Sequence, residues 1–307
     1  MIGKFYSHGK LLITGEYVVL DGALALAVPT RFGQSLEIEP HHENKIHWTA
    51  LDHQGKEWFK TSLILNGGEL KFAEENINPS EQENRLLQVL TEANSLNPGI
   101  LNSTIGFNVK TKLDFPQNWG LGSSSTLINN VAQWFGVDPY ELLKNTFGGS
   151  GYDIAAAQNE QPVTFQLTKE KPSVLISNFE PDFKDQLFFV HLNKKQNSRA
   201  SIAHYKAQSL EMVNDTVSRI SALTESFIGC TTIEEFKLLI EIHETLISKL
   251  INTPKVKTGL FPDFPGAIKS LGGWGGDFIL ATGREEEMDY FRKKGYATIV
   301  SYDEMLK

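Results

Sequence analysis

The segment from Pro116 to Ser125 places two glycines and three serines directly before a predicted helix. Glycines let backbone N–H groups approach an anion closely, and a helix start adds unpaired N–H donors and a partial positive charge. The hydroxyls of Ser123, Ser124 and Ser125 could bond phosphate oxygens or lie beside a bound Mg²⁺. The alternative is a loop whose serines only cap the helix. We favour a phosphate-binding loop, because the glycines and serines together exceed what a cap needs.

The same segment nearly matches a dinucleotide-binding fingerprint, since residues 120–125 read G-x-G-x-x-S. The third position is serine rather than glycine, and the preceding strand is predicted to end at Pro116. The acidic residues about 20 positions further on, Asp138 and Glu141, lie at a predicted helix start and not at a strand end. The sequence context therefore argues against a dinucleotide fold.

A second candidate functional segment is His8-Gly9-Lys10, which places a cationic side chain at the head of an apolar strand. A lysine there pays a desolvation cost unless it has an acidic or anionic partner. The segment is not a Walker A loop, because five residues rather than four separate Gly3 from Gly9 and Leu11 follows the lysine. An ordinary surface lysine is the alternative.

Two further glycine clusters each end in an aspartate. Residues 148–153 read Gly-Gly-Ser-Gly-Tyr-Asp before an apolar helix, and residues 272–277 read Gly-Gly-Trp-Gly-Gly-Asp before a predicted buried strand. Asp153 could be a helix N-cap and nothing more. A tight turn explains one or two glycines in the second cluster, but not all four.

Together these segments resemble the GHMP kinase superfamily, which includes galactokinases and homoserine, mevalonate and phosphomevalonate kinases. Residues 116–125 are similar to the family pattern P-x-x-x-G-L-G-S-S, and the resemblance runs from Gly9 to Ala281. It implies an α+β fold with two domains, an N-terminal domain like ribosomal protein S5 domain 2 and a ferredoxin-like C-terminal domain. We predict a nucleotide-binding domain at 1–180 and a C-terminal domain at 181–307.

The resemblance also implies a role for each matching residue in phosphoryl transfer from ATP to a hydroxyl. Asp153 matches the catalytic base, and Lys10 matches the lysine that pairs with it. The ATP phosphates would be bound by Gly120, Leu121, Gly122, Ser123, Ser124 and Ser125. The substrate side would be formed by Glu16, Gly272, Gly273, Gly275, Gly276 and Asp277. Mg²⁺ would be held by Ser124 and Glu141.

Several positions depart from the family pattern. His8 stands where proline is usual, Trp274 interrupts the third glycine motif, and the stretch between Ser125 and Asp153 is short. The family's magnesium-binding glutamate falls on Leu142, one step after Glu141. The Trp274 departure would reshape the acceptor or nucleotide pocket.

The acceptor is predicted from the first and second motifs, which look most like those of phosphomevalonate kinases. Tyr17 follows Glu16 where mevalonate kinases and galactokinases more often have histidine. Mevalonate is the next candidate, followed by homoserine or a sugar, and a non-catalytic nucleotide-binding protein is the other alternative. A phosphorylated acceptor needs extra cations, for which Arg31, Lys195 and Arg199 are candidates; each could equally be a solvated surface residue.

Composition limits the class of protein. Twenty-nine basic against 37 acidic residues give a net charge of −8, which argues against a nucleic-acid partner. One cysteine and no long apolar run favour a cytoplasmic protein that is not embedded in a membrane. We expect a small-molecule substrate and a monomer or homodimer.

The hydrophobic pattern predicts helices over 80–95 and 124–135 and a strand over 106–114. It also predicts a strand over 11–20 and a helix over 265–271. Residues 41–55 are predicted to be polar turn material. Four histidines lie there (His41, His42, His47 and His53); we favour a solvated loop over a metal site.

Overall fold

The computed structural model describes residues 3–66, 69–73, 78–101, 105–169, 171–194 and 199–307. The strands are β1 (Gly3–Thr14), β2 (Ala25–His41), β3 (Lys45–Leu51), β4 (Glu57–Asn66), β5 (Glu69–Phe72), β6 (Gly106–Leu113), β7 (Val163–Leu167), β8 (Pro172–Ile176), β9 (Leu187–His191), β10 (Ile268–Ser270), β11 (Phe278–Thr282) and β12 (Ile299–Ser301). The helices are α1 (Glu81–Leu96), α2 (Ser123–Phe135), α3 (Pro139–Thr146), α4 (Tyr152–Gln158), α5 (Arg199–Lys206), α6 (Leu210–Gly229), α7 (Ile233–Leu250), α8 (Val256–Leu260), α9 (Asp289–Lys293) and α10 (Tyr302–Met305). This mixture of helices and largely antiparallel strands confirms the predicted α+β class.

The chain divides into two compact units. The first contains Met1–Gly9, Phe32–Gln117 and Gly122–Gln158, and the second contains Lys10–Arg31, Asn118–Leu121 and Asn159–Lys307. The domain boundary predicted between residues 180 and 181 is not tested by this division and stays a prediction.

In the first unit, a sheet of order β5-β4-β3-β6-β2 packs against helices α1 to α4. The pair β3–β6 is parallel and the other pairs are antiparallel. Helix α1 begins with a capping box in which Ser80 and Glu83 satisfy each other's backbone N–H groups. Leu90, Ile128 and Phe135 from the helices are fully buried against strand residues such as Trp48. This core fixes α2, whose first turn carries the candidate phosphate loop.

In the second unit, residues 25–27 of β2 pair with β7, and β7 pairs with β8. A separate antiparallel sheet has the order β10-β11-β9-β12. Helices α6 and α7 pack against each other, and α7 also packs on β10. None of the described helices has the length and apolar character of a membrane span.

The predicted elements α1, α2 and β6 are confirmed to within one residue at each end. The strand predicted over 11–20 was wrong beyond Thr14. Gly15 has φ +98°, and a Cβ there would lie 2.6 Å from the Cβ of Ala25, so the chain turns and forms a short 3₁₀ helix at Val18–Asp21.

Two other predictions were wrong. The polar region 41–55 contains β3, because Ile46, Trp48 and Ala50 alternate toward the core and polar residues occupy only the other face. The helix predicted over 265–271 is an extended segment that forms β10 and pairs with β11. Gly266, just before β10, lies so close to the Thr282 carbonyl that a Cβ would stand 1.9 Å from its oxygen, so a side chain does not fit there.

Candidate active site

Lys10 and the first half of the glycine loop are held together in the second unit. The Lys10 backbone N–H donates to the Leu121 carbonyl over 2.9 Å, so the loop is tied to β1 by the main chain. The Lys10 Nζ donates to the Gly120 carbonyl over 3.2 Å. The side chain is half-buried. Its hydrogen bond to Gly120 places the charge at the turn where the sequence predicts a phosphate.

The second half of the loop leads into α2 in the first unit. Gly122 is the N-cap in a left-handed conformation, φ +88°, and glycine has no side chain to accept from the first N–H groups of the helix. The Ser125 hydroxyl donates to the Gly122 carbonyl over 2.8 Å and tightens the turn. Ser123 is half-buried and Ser124 is exposed. An anion could accept from the N–H groups that a capping side chain would otherwise occupy.

Asp277, from the third glycine motif, lies against Gly120. A Cβ built on Gly120 would stand 2.5 Å from Cγ of Asp277. The Asp277 backbone has φ +52°, which is uncommon outside glycine, and it is fixed by a hydrogen bond from its N–H to the Lys194 carbonyl over 2.8 Å. The second and third motifs of the sequence therefore meet at one point, with Lys10 bonded to the carbonyl of the same glycine.

Two aromatic residues support the start of this loop, and their role was not predicted from the sequence. The His191 Nε2 is 3.0 Å from the Asn118 carbonyl oxygen. The Trp119 ring packs edge-on against Phe278 with ring centroids 5.3 Å apart. The only sequence signal was the position of Trp119 directly before the glycines.

Asp153 lies in the first turn of α4, in the first unit. It is half-buried, and its Oδ1 accepts from the Ile154 N–H over 3.1 Å. Tyr140 packs on Gly151, where a Cβ would come within 2.9 Å of the ring. Burial, with the charges of Asp138 and Asp153, raises the pKa of Tyr140 to about 12. The predicted pairing of Asp153 with Lys10 stays a prediction.

The neighbouring helix α3 carries Glu141, the candidate magnesium ligand. Leu142 is fully buried in the core of the first unit, so the residue at the family's glutamate position faces away from solvent. Glu141 is exposed in the first turn of α3. Its assignment as a magnesium ligand, like that of Ser124, stays a prediction.

Glu16 lies in a buried charged cluster of the second unit that we call the Lys269 cluster. It consists of Glu16, His243, Glu244, Lys269 and Ser270, all nearly inaccessible to solvent. The Lys269 ammonium forms an ion pair with Glu16 and lies 3.4 Å from Glu244. Glu244 accepts from the Ser270 N–H and hydroxyl, each over 3.0 Å. This cluster joins the end of the first motif to the strand that leads into the third.

Burial controls the protonation of this cluster. Desolvation raises the pKa of Glu16, although the charge of Lys269 opposes the shift. Desolvation also raises the pKa of Glu244 to about 7, and it holds the pKa of His243 well below its ordinary value. The carboxylate of Glu16 is directed to Lys269, which gives it a positioning function in the fold; its assignment to the substrate side stays a prediction.

The third glycine motif is anchored by Trp274. Its side chain is 2% exposed and packs with Tyr17 and Tyr205. The indole Nε1 donates to the Pro254 carbonyl over 2.8 Å, and the backbone N–H donates to the Tyr17 hydroxyl over 3.3 Å. The glycines 272, 273, 275 and 276 flank this buried ring. The tryptophan that interrupts the motif therefore belongs to the core.

The three cations considered for a phosphorylated acceptor are only partly described. Arg31 donates from Nε to the Asp303 carbonyl, so it contacts the C-terminal helix α10. Lys195 lies outside the described residues, and Arg199 begins α5 with a side chain that is also outside them. Their proposed role in binding an acceptor stays a prediction.

The fold is that of solved GHMP kinases over nearly the whole chain. Methanococcus jannaschii mevalonate kinase superposes with a TM-score of 0.68 at 18% identity, covering 97% of each chain. Streptococcus pneumoniae phosphomevalonate kinase, solved with phosphomevalonate and AMPPNP, gives 0.67 at 17% identity over 97% of this chain and 99% of that one. Lactococcus lactis galactokinase with galactose gives 0.69 at 12% identity over 99% and 93%.

The similarity is visible in structure and not in overall sequence. No protein-family model matches the sequence, and no curated protein is a detectable relative. The superpositions confirm the fold that the glycine motifs predicted. At these identities they establish the GHMP kinase fold alone.

Proposed function

We propose that this protein is an ATP-dependent kinase that transfers the γ-phosphoryl group to a hydroxyl or phosphate of a small metabolite. The observation that carries the proposal is the meeting of three motifs at Gly120. Lys10 bonds its carbonyl and the Asp277 carboxylate lies against its α-carbon. The fold is shared with kinases of this chemistry, one of which was solved with an ATP analogue.

In this proposal the ATP phosphates lie at the glycine loop and the first turn of α2. Gly122 has no side chain to accept from the N–H groups that follow it, so these groups can donate to phosphate oxygens. The ammonium of Lys10 neutralises charge that develops on the transferred group. Asp153 orients the attacking oxygen of the acceptor, and it takes the proton when that oxygen is a hydroxyl, as in mevalonate; the phosphate oxygen of phosphomevalonate attacks as an anion and needs no base.

Mg²⁺ fits the oxygen donors that this chain offers near α2. Hard divalent cations of this size take carboxylate, hydroxyl and phosphate oxygens. Ser124 is exposed at the start of α2, and Glu141 lies on α3, which packs against α2. Ser124 and Glu141 would hold the ion, which would supply positive charge to neutralise the phosphates.

The proposed acceptor is phosphomevalonate, with mevalonate second. The support is the first motif, Gly-Glu-Tyr at residues 15–17, together with residues 149–157. The phosphomevalonate kinase superposition covers almost all of both chains, but galactokinase superposes equally well, so the fold does not select among acceptors.

The test is ADP release with ATP–Mg²⁺ and a panel of mevalonate, phosphomevalonate, homoserine, galactose and shikimate. We expect turnover on one acceptor, and we expect Asp153→Asn to lower kcat at least about 100-fold with little change in ATP affinity. Asp182→Asn is the matched control, because Asp182 is exposed and remote in sequence from the glycine motifs. Near-normal turnover of Asp153→Asn would remove that residue from the mechanism.

A non-catalytic nucleotide-binding protein is the other candidate. Calorimetric titration with AMPPNP, together with the ADP-release assay, distinguishes the kinase from the non-catalytic protein. Nucleotide binding without turnover on any acceptor would favour the non-catalytic role, whereas neither binding nor turnover would overturn the proposed function.

A further inference from the structure

We propose that His41, Glu43 and His47 form a binding site for a divalent transition-metal ion such as Zn²⁺. One ligand atom from each of these residues lies within 4.8 Å of the other two. The three residues lie in the first unit, at the end of β2 and the start of β3. The site is independent of the proposed kinase activity.

The chain path brings the two histidines together. Strands β2 and β3 are not neighbours, since β6 lies between them: His41 is paired with Gly106 and His47 with Asn108. Strands two places apart in a sheet are separated by roughly 10 Å. The connection 42–44 nevertheless crosses the end of β6, and the two rings pack edge to face with centroids 5.0 Å apart.

Gly106 makes this crossing possible. A Cβ at Gly106 would stand 2.1 Å from the Glu43 carbonyl oxygen and 2.1 Å from that of Lys45. Any side chain there would therefore push the crossing away from the sheet. The absence of one lets Glu43 lie above β6, between the two histidines.

A hydrogen bond orients the His47 ring as metal binding requires. His47 Nδ1 is 2.9 Å from the Ser62 hydroxyl, so the ring can donate there and keep the Nε2 lone pair for a metal. That Nε2 is 3.9 Å from the Glu43 carboxylate. His41 accepts the Glu43 N–H at Nδ1 over 3.2 Å. Metal binding at either nitrogen of His41 gives up this long hydrogen bond, because Nδ1 then carries either the metal or the ring proton.

The donor set selects the metal. Two imidazoles and one carboxylate suit Zn²⁺ and its neighbours in the first transition row, and they do not suit Mg²⁺. Tetrahedral coordination with bonds near 2.0–2.2 Å places ligand atoms about 3.4 Å apart, so small side-chain rotations close the site. A fourth position is left for water. Both histidines are half-buried and Glu43 is exposed, so the ion can enter from solvent.

Lys45 competes with the metal. Its ammonium lies 3.5 Å from the Glu43 carboxylate, with which it forms an ion pair. A cation at the site must displace this pair. Replacing Lys45 with methionine removes the competing charge and leaves all three ligands in place, so the proposal requires this variant to bind the metal more tightly.

The experiment is calorimetric titration of the full chain with Zn²⁺ at pH 7.5, after treatment with EDTA and desalting. Millimolar Mg²⁺ is present throughout to occupy sites made only of oxygen. We expect one equivalent of Zn²⁺ to bind, binding weakened at least about tenfold in His47→Ala and in Glu43→Gln, and stronger binding in Lys45→Met. His53→Ala is the control, because His53 lies exposed in a turn of the same region.

Co²⁺ gives a second readout that does not depend on heat. Bound at this site it should show the visible absorption of a four-coordinate ion, and Zn²⁺ should abolish that absorption. Circular dichroism verifies that each variant is folded; Glu43→Gln, at an exposed position, keeps the test usable if His47→Ala does not fold. No binding of Zn²⁺ to wild type at 100 µM, or equal binding by wild type and Glu43→Gln, would overturn the proposal.

Discussion

The Asp277 carboxylate occupies the space that a side chain on Gly120 would need. A Cβ at Gly120 would lie 2.5 Å from the Asp277 Cγ and 2.7 Å from its Oδ2. Gly120 also has φ +67°, which favours glycine for the backbone itself. Two glycine motifs that are far apart in sequence interlock here, and Lys10 binds the carbonyl of the same residue. Glycine is therefore required at position 120, because a side chain would collide with Asp277 and because the backbone has a positive φ.

Gly120→Ala should cost about 1–3 kcal/mol of unfolding free energy and lower kcat/KM at least tenfold, because the new methyl group displaces Asp277. Chemical denaturation and the ADP-release assay measure the two effects. Gly55→Ala is the matched control: Gly55 has φ +80°, but no atom lies within 4 Å of its Cβ position. Equal losses in the two variants would mean that the contact with Asp277 contributes nothing.

Lys10→Met should lower kcat about 100-fold or more while the protein stays folded, because the charge at the glycine loop is lost. The hydrogen bond from the Lys10 N–H to Leu121 does not involve the side chain, so β1 keeps its tie to the loop. Lys4→Met is the control on the same strand. Lys4 is 72% exposed in an ion pair with Glu37, and such pairs stabilise proteins little. Retention of more than half of the turnover in Lys10→Met would contradict its role.

Local features of the fold could be predicted from the sequence. The start of α2 follows from glycines that adopt positive φ and from serines before an apolar helix, and the prediction was correct to one residue. The capped helices α1 and α3 likewise carry their start signals in adjacent residues. In each case the physical cause lies within a few positions of the chain.

Long-range partners could not be predicted in the same way. Lys269 is buried because Glu16 lies beside it, and these residues are 253 positions apart. Without that partner the sequence around Lys269 is as compatible with a helix as with β10. The contact between Gly120 and Asp277 has the same character. Strand β3 was missed because its less buried face carries the polar residues Lys45, His47 and Thr49, which indicate a loop.

Trp274→Phe should leave the KM values for ATP and acceptor unchanged and cost about 1–2 kcal/mol of stability. The cause is loss of the hydrogen bond from Nε1 to Pro254 and a smaller ring in the core. Denaturation and steady-state kinetics measure these effects. Trp58→Phe is the control, since Trp58 is 43% exposed. A tenfold change in the acceptor KM with stability retained would instead show that Trp274 shapes the acceptor pocket.

Glu244→Gln should change how stability depends on pH. Burial, with the charge of Glu16, raises the pKa of Glu244 to about 7 in the folded protein, whereas a glutamate in an unfolded chain titrates near 4.3. Between these two values the folded state binds more protons than the unfolded state. The contribution of Glu244 to stability therefore falls as pH rises through this window and is constant above it.

The glutamine variant cannot lose this proton, so its stability should lack that part of the decline. We expect the wild type to lose about 1–3 kcal/mol relative to Glu244→Gln between pH 5 and pH 8, measured by urea denaturation at each pH. The shifts of Glu16 and His243 are present in both proteins and largely cancel in the difference. Glu241→Gln, on the exposed face of the same helix, should follow the wild type. Parallel curves for wild type and Glu244→Gln would show that Glu244 is ionised throughout this range.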